Sequence, residues 1–236
     1  MTWHSGTIAV ACIVQSGTTG RKNARAGESP SKAIGRPNAP GIRTRCNENQ
    51  EFVMAFVKSV PESEESVAAV LRRYPQHAVL LTELADVVMR SGDCAFTSEQ
   101  RELIAAYTSG TNDCTYCYDT HKATAEAFGV DGNLLESMLS DLDASAVDEQ
   151  LKPVLRYVRK LTETPSRMVQ ADVDAIFDAG WDEDCFHYAV MICGLFNLMN
   201  RLMDGYGVRN TAEGRRMRGR MLVDTGYRVV TDALQT

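Results

Sequence analysis

The chain has 236 residues, 44% hydrophobic and 24% charged, which suits one large or two small globular domains with a sizeable core. Its net charge of −6 argues against wholesale nucleic-acid binding, and the longest apolar run of the C-terminal half, YAVMICGLF, has nine residues, far too few for a membrane span. Seven cysteines, an odd number without a regular framework, argue against a secreted disulfide scaffold and for reduced thiols in a cytoplasmic protein.

Residues 1–53 carry Arg21, Lys22, Arg25, Lys32, Arg36, Arg43 and Arg45 against Glu28, Glu48 and Glu51, which leaves 18 basic and 28 acidic residues for the remainder. The stretch from Ser16 to Arg45 is rich in Gly, Pro, Ser and Arg and has neither helical nor strand period, so residues 1–53 are expected to be a disordered extension. TIAVACIV is a short apolar run, but no basic residue precedes it, as a signal peptide requires. Composition changes near Met54, which makes that residue a candidate natural start.

From residue 54 to 236 the pattern is helical. SEESVAAVLRRY has a Ser63 cap, Pro75 opens HAVLLTELADVVMRS, and Thr97 with Gln100 forms a capping box for SEQRELIAAYTS, which Gly110 ends. Asn112 and Asp113 are placed to cap a helix that runs to Phe128 and stops at Gly129. A short helix is expected after Asp131, another over 148–163, and QADVDAIFDAG closes at Gly180. Asp182, Glu183 and Asp184 put negative charge on the first turn of a long helix to about Met203, followed by Gly207. Thr211 caps a last, basic helix, AEGRRMRGRML. No period-two strand appears, so the fold class is all-α. The endings AEAFGV (125–130) and MDGYGV (203–208) suggest either a duplicated helical hairpin or two ordinary glycine caps.

Chemistry concentrates in NDCTYCYDTHK. Cys114, Cys117 and His121 fall within roughly 60° of one another on a helix, and i, i+3 side chains lie about 5–6 Å apart at Cβ. That suits a disulfide, which needs Cα atoms about 4.4–6.8 Å apart. His121, one turn beyond Cys117, can exchange a proton with it. With Asp113 as cap, Cys114 would sit in the first turn, where the helix dipole favours a thiolate. Zinc is the rival reading. It needs a fourth ligand from Cys94, Cys185, Cys193 or His187, none of which forms a second C-x-x-C or C-x-x-H, so a redox pair is preferred and no metal or cofactor is assigned.

With eleven residues between Glu102 and Cys114, the segment reads E-x(11)-C-x-x-C-x(3)-H. This resembles the AhpD-like alkylhydroperoxidase branch of the carboxymuconolactone decarboxylase family, and GLFNLMNRLMDGYGV (194–208) is similar to the corresponding segment of its peroxidase-related subgroup. The likeness covers about residues 54–230. It implies an all-helical bundle that assembles as homo-oligomers, a small hydroperoxide substrate, and re-reduction by a thiol reductant, in some members a lipoylated protein. By position, Cys117 matches the attacking thiol, Cys114 the resolving thiol, and Glu102 and His121 the proton relay. The helix dipole points instead to Cys114 as the more acidic thiol, but Cys117 has His121 one turn away. The best-studied pattern has histidine where this chain has Tyr116, and a phenol with a pKa near ~10 shuttles protons poorly at neutral pH. Without the motif, Glu102 would read as a solvated first-turn carboxylate.

His187 and Cys193 read as core or interface, and Cys185 as inert. Asn197, Asn200 and Arg201 interrupt an apolar helix face and are expected to bridge helices or subunits near the thiols. Arg215, Arg216, Arg218 and Arg220 are expected to pair with an acidic surface rather than nucleic acid. The functional expectation is a thiol-dependent peroxidase. A dithiol exchange or stress-response protein is the alternative, and a decarboxylase or lactone-handling enzyme is weaker because it gives the dithiol no role.

Overall fold

The computed structural model describes Phe56 and residues 67–235. The expectations for residues 1–53, the start at Met54 and the Ser63 cap lie outside the described residues. Within them every regular element is helical. The helices are α1 (Val67–Leu71), α2 (Pro75–Arg90), α3 (Ser98–Thr111), α4 (Thr115–Ala127), α5 (Leu134–Ser140), α6 (Lys152–Glu163), α7 (Gln170–Asp178), α8 (Glu183–Tyr206), α9 (Ala212–Thr225) and α10 (Arg228–Gln235). A single 3₁₀ turn, Pro165–Arg167, separates α6 from α7. No helix among the described residues is long and apolar enough to cross a membrane.

The all-α expectation holds, and many of the expected ends are observed. Pro75 starts α2, Thr97 and Gln100 exchange both bonds of a capping box on α3, and Thr211 Oγ1 accepts from Gly214 N to open α9. Asp182 caps α8 through Cys185 N. Other ends move. The 148–163 helix begins only at Lys152, α8 continues to Tyr206, and α10 was not expected at all. AEAFGV and MDGYGV close alike: Val130 N donates to Ala125 O and Val208 N to Met203 O across glycines of positive φ. That is what ordinary glycine caps do, and it does not require a duplication.

Helix α3 is the axis of the bundle that the described helices form. Residues Arg101 to Ser109 are all buried, because α4, α5, α6 and α8 pack round it. A helix enclosed on every side needs small or apolar residues, and Leu103, Ile104, Ala105, Ala106 and Tyr107 supply them. It also forces its polar residues, Arg101, Glu102, Thr108 and Ser109, to find partners inside the protein. Helix α4 lies between α3 and α9. At the α4–α9 crossing a Cβ on Gly219 would come within 2.7 Å of the Ala123 backbone, so glycine is what lets α9 seat there. Gly226, at φ 65, then turns the chain sharply back into α10, which lies along α2 through a 2.6 Å bond between Thr82 Oγ1 and Thr231 Oγ1.

Candidate active site

The turn between α3 and α4 differs from the expected one. Asp113 has φ 58 and closes α3: its N–H donates to Gly110 O, and Cys114 N donates to Ser109 O. This is a Schellman ending with aspartate where glycine is usual, a place aspartate tolerates. Asp113 therefore does not cap α4. Cys114 does, with extended backbone, and its own C=O accepts the first helical bond, from Tyr118 N. Asn112 does not cap α4 either. Its side chain donates to Asn200 Oδ1 at 2.8 Å and to Asn197 Oδ1 at 3.1 Å, tying the turn to α8.

That turn brings the expected residues together. Cys114, Cys117, His121 and Glu102 are all buried, Glu102 and Cys114 completely. The two thiols are free and buried in one cluster, with Cys114 Sγ 3.8 Å from Asn200 O. The Cys117 contact, then burial, push the Cys114 thiol far above its ordinary value. The helix-dipole argument for an acidic Cys114 is therefore wrong, because Cys114 is at the cap rather than in the first turn and is sealed from water.

Glu102 is the centre of a buried polar cluster. Arg90 Nη2 donates to its Oε1 at 2.7 Å, and His121 Nδ1 lies 2.7 Å from its Oε2. The Tyr227 hydroxyl donates at 3.2 and 3.4 Å to the two oxygens, and lies 3.2 Å from His121 Nδ1. Burial alone would raise the carboxyl, but the His121 hydrogen bond and the charges of His121 and Arg90 outweigh it and hold Glu102 below its ordinary value of 4.5. An ionised carboxylate only accepts, so Nδ1 of His121 carries the hydrogen and Nε2 is the nitrogen left to exchange a proton. The Phe196 ring edge, with centroids 4.2 Å apart, fixes the imidazole plane.

Arg90 and Tyr227 were missed by sequence reasoning. A buried glutamate demands a cation, and that demand was the only signal for Arg90. Tyr227 follows an unremarked glycine 125 positions beyond Glu102, and nothing local singles it out. Its burial, with the Glu102 charge adding to it, keeps the phenol firmly protonated.

A cavity of about 80 Å³ opens beside Cys117 and His121, lined mostly by apolar side chains including Phe196, Met199, Met203 and Leu222. Tyr116 lines it too, buried beneath the Arg218 guanidinium, whose carbon lies 5.3 Å from the ring centre. The remaining candidates fall elsewhere. Cys193 is buried and bonds the Val158 carbonyl and Thr162, His187 is exposed against Tyr188, and burial pushes Cys185 up to about 12. Asn197 and Asn200 do bridge helices, to Thr162 and Ser109, whereas Arg201 is exposed and folds back on Asn197. Arg215 pairs with Asp119 at 2.6 Å. Among the described residues no three His, Cys, Asp or Glu side chains stand close enough together to hold a metal ion.

No protein-family model matches the chain, and no curated protein matches it in sequence. Solved structures do. An AhpD-core, uncharacterized peroxidase-related protein from Ralstonia eutropha superposes with a TM-score of 0.59 at 22% identity, over 64% of this chain and 79% of that one. An uncharacterized peroxidase-related protein from a Silicibacter species gives 0.59 at 21% identity, over 63% and 78%. A debrominase in complex with 2,3,4-tribromopyrrole gives 0.55 at 15% identity, over 66% and 80%. The chain has the all-α fold of the AhpD-like peroxidase-related proteins.

Proposed function

We propose that the protein is a thiol-dependent peroxidase that reduces organic hydroperoxides through a Cys117/Cys114 dithiol cycle. The observation that carries this reading is the 2.7 Å bond between His121 Nδ1 and the buried Glu102 carboxylate, one helical turn from Cys117 and beside an apolar cavity. Nε2 of His121 takes the Cys117 proton. The thiolate attacks the terminal peroxide oxygen, the O–O bond breaks, and the same proton passes to the departing alkoxide as it becomes an alcohol. Cys117 is left as a sulfenic acid. Cys114 stays protonated while Cys117 is reduced, since contact with that thiol holds it so. Once Cys117 is oxidised, the Cys114 sulfur attacks it, water leaves, and the disulfide forms. An external dithiol, such as a lipoylated protein presents, restores both thiols by exchange. The apolar lining favours a hydroperoxide with an apolar tail over hydrogen peroxide itself.

Mass spectrometry after one equivalent of cumene hydroperoxide should find an intramolecular Cys114–Cys117 link, and turnover should be sustained by a dithiol reductant. Links only between other cysteines would overturn the reading. Oxidation to the disulfide without peroxide turnover would leave a dithiol-exchange protein. The debrominase sharing the fold supports one further arm. A brominated pyrrole in place of the peroxide tests whether Cys117 attacks halogen instead of oxygen.

A further inference from the structure

Arg218 alone is buried among the four arginines of α9, at 8% exposed. It shares the buried face of that helix with Gly214 and Leu222, one turn to either side. Its guanidinium lies over Tyr116, the residue before Cys117, at 5.3 Å from the ring centre. A Cβ on Gly214 would stand 3.0 Å from Arg218 Nη2 and 3.3 Å from Nη1, so glycine leaves room for the guanidinium to fold back against the first turn of α9. A helix start already carries partial positive charge, and the guanidinium adds to it at the same place. Glu213, the acidic residue of that turn, is exposed and lies with Arg216, Met217 and Arg220 at a separate surface depression.

Arg218 also lines the cavity that opens beside Cys117 and His121. Among the described residues of that lining there is no aspartate or glutamate, and Arg218 is the one permanent cation. Apolar side chains such as Leu81, Met199, Met221 and Val230 make up most of the rest. A cation in an apolar wall is costly to place, and its field acts strongly on whatever enters, because the medium there has a low dielectric. The Tyr116 contact uses the flat face of the guanidinium. Its five N–H donors point outward in the plane, in a fork that matches a carboxylate. Arg218 can therefore keep its present contacts and still receive carboxylate oxygens.

We propose that the substrate of this site is an amphipathic hydroperoxide, an apolar body that carries a carboxylate, and that Arg218 is the specificity-determining residue that receives the carboxylate. This deepens the peroxidase reading and rests on it. The apolar walls take the body, and the hydroperoxide end lies at Cys117. Apolar walls alone leave a small molecule free to enter either way round. A carboxylate fixed at Arg218 sets which end reaches the sulfur, so the terminal peroxide oxygen is presented for attack. A merely structural Arg218, there to cover Tyr116, would treat charged and uncharged hydroperoxides alike.

Two acids of different span test this on the full chain at neutral pH: γ-hydroperoxy-γ-methylvaleric acid and para-carboxycumene hydroperoxide, each compared with its methyl ester. At least one acid should be preferred over its ester about tenfold in kcat/KM, chiefly through KM, as one charge-assisted hydrogen-bonded pair would give. Arg218→Met keeps an apolar stem over Tyr116 and removes the charge. It should erase the preference and leave the ester rate within about twofold of wild type, whereas Arg218→Lys should keep part of the preference. The alcohols derived from the two acids carry no peroxide and report binding alone. They should protect Cys117 from iodoacetamide at about tenfold lower concentration than their methyl esters do. Protection of that kind without turnover of any peroxide would uphold the carboxylate site and overturn the peroxidase reading instead. Acids and esters alike in both turnover and protection, or an Arg218→Met variant that still prefers the acids, would overturn the proposal. If Arg218→Met does not fold, the comparison of acid with ester in the native chain decides alone.

Discussion

Glu102 is gripped from two sides, and the two grips are built differently. His121 comes from α4, joined to α3 by the short Asn112–Cys114 turn, so the His121–Glu102 contact closes a small loop within one hairpin. Tyr227 arrives from the far end of the chain, and only if several conditions hold together. Helix α9 must seat on α4 at Gly219, Gly226 must turn at φ 65, and Tyr227 N must reach Asp86 Oδ1 at 2.9 Å. The local grip costs little loop-closure entropy, whereas the remote one depends on packing. The chemistry should therefore fail sharply when the near side is altered and by degrees when the far side is.

The largest effect is expected at the near side. Cys117→Ser should reduce peroxide consumption to the rate without protein, measured by coupled turnover. Glu102→Gln should slow it by about 10²–10³, the range of general acid–base catalysis, and His121→Gln by a similar factor. Because the two act as one relay, the double variant should be little slower than the worse single. Strictly additive losses would separate them. Glu102→Gln also tests linkage. The carboxyl is held below 4.5 in the folded state, so its stabilisation is full above that value and is lost as pH falls through the folded one. The gap in melting temperature between wild type and Glu102→Gln should be widest near neutral pH and should narrow below pH 4.5. At neutral pH the gap should correspond to about 3 kcal/mol, since Arg90 would keep a buried charge without its partner.

The far side comes next. Gly219→Ala forces a methyl group against the Ala123 backbone and should cost about 1–3 kcal/mol, the range for overpacking. Because α9 carries the chain into Tyr227, the same change should lower turnover although Gly219 lies outside the site. A variant that melts lower with unchanged turnover would break the link between seating and chemistry. Tyr227→Phe keeps the ring and removes one donor to Glu102. It should cost about 1 kcal/mol of stability and about tenfold in turnover, one hydrogen bond's worth. A change in the pH profile of turnover would mark Tyr227 as a positioning residue, because a purely structural role leaves that profile alone.

The same division explains what could be read in advance. The near grip is a pattern of short spacings, so Glu102, Cys114, Cys117 and His121 could be named together, and the structure brings them together. Even there Asp113 misled, because aspartate suits both a helix start and a left-handed helix end, and only long-range packing decides between them. Tyr227 belongs to the far grip, 125 positions from Glu102, and no periodicity encodes that, whereas Arg90 lies only 12 positions away but on a separate helix, across a loop that breaks any helical period. Helix α10 could not be read for a related reason: eight residues are too few to stand out, and what holds the helix is its packing along α2.

The smallest effect should come from Arg215, and it shows whether shape or charge seats α9. Arg215 Nη1 lies 2.6 Å from Asp119 Oδ2, a bond from α9 to α4 close to the Gly219 contact. If charge held the far hairpin in place, Arg215→Ala would disturb Tyr227 as much as Gly219→Ala does. The Arg215 side chain is 39% exposed, however, so water and salt screen the pair. Exposed ion pairs contribute about 0–1 kcal/mol. Arg215→Ala should therefore lower stability by less than about 1 kcal/mol, by an amount that fades in high salt, and leave turnover unchanged. Combined with Asp119→Ala in a double-mutant cycle, it should give a small coupling energy in chemical denaturation. A coupling of several kcal/mol, or a loss of turnover matching that of Gly219→Ala, would mean that the far grip is electrostatic, and the close approach at Gly219 would then be its consequence rather than its cause.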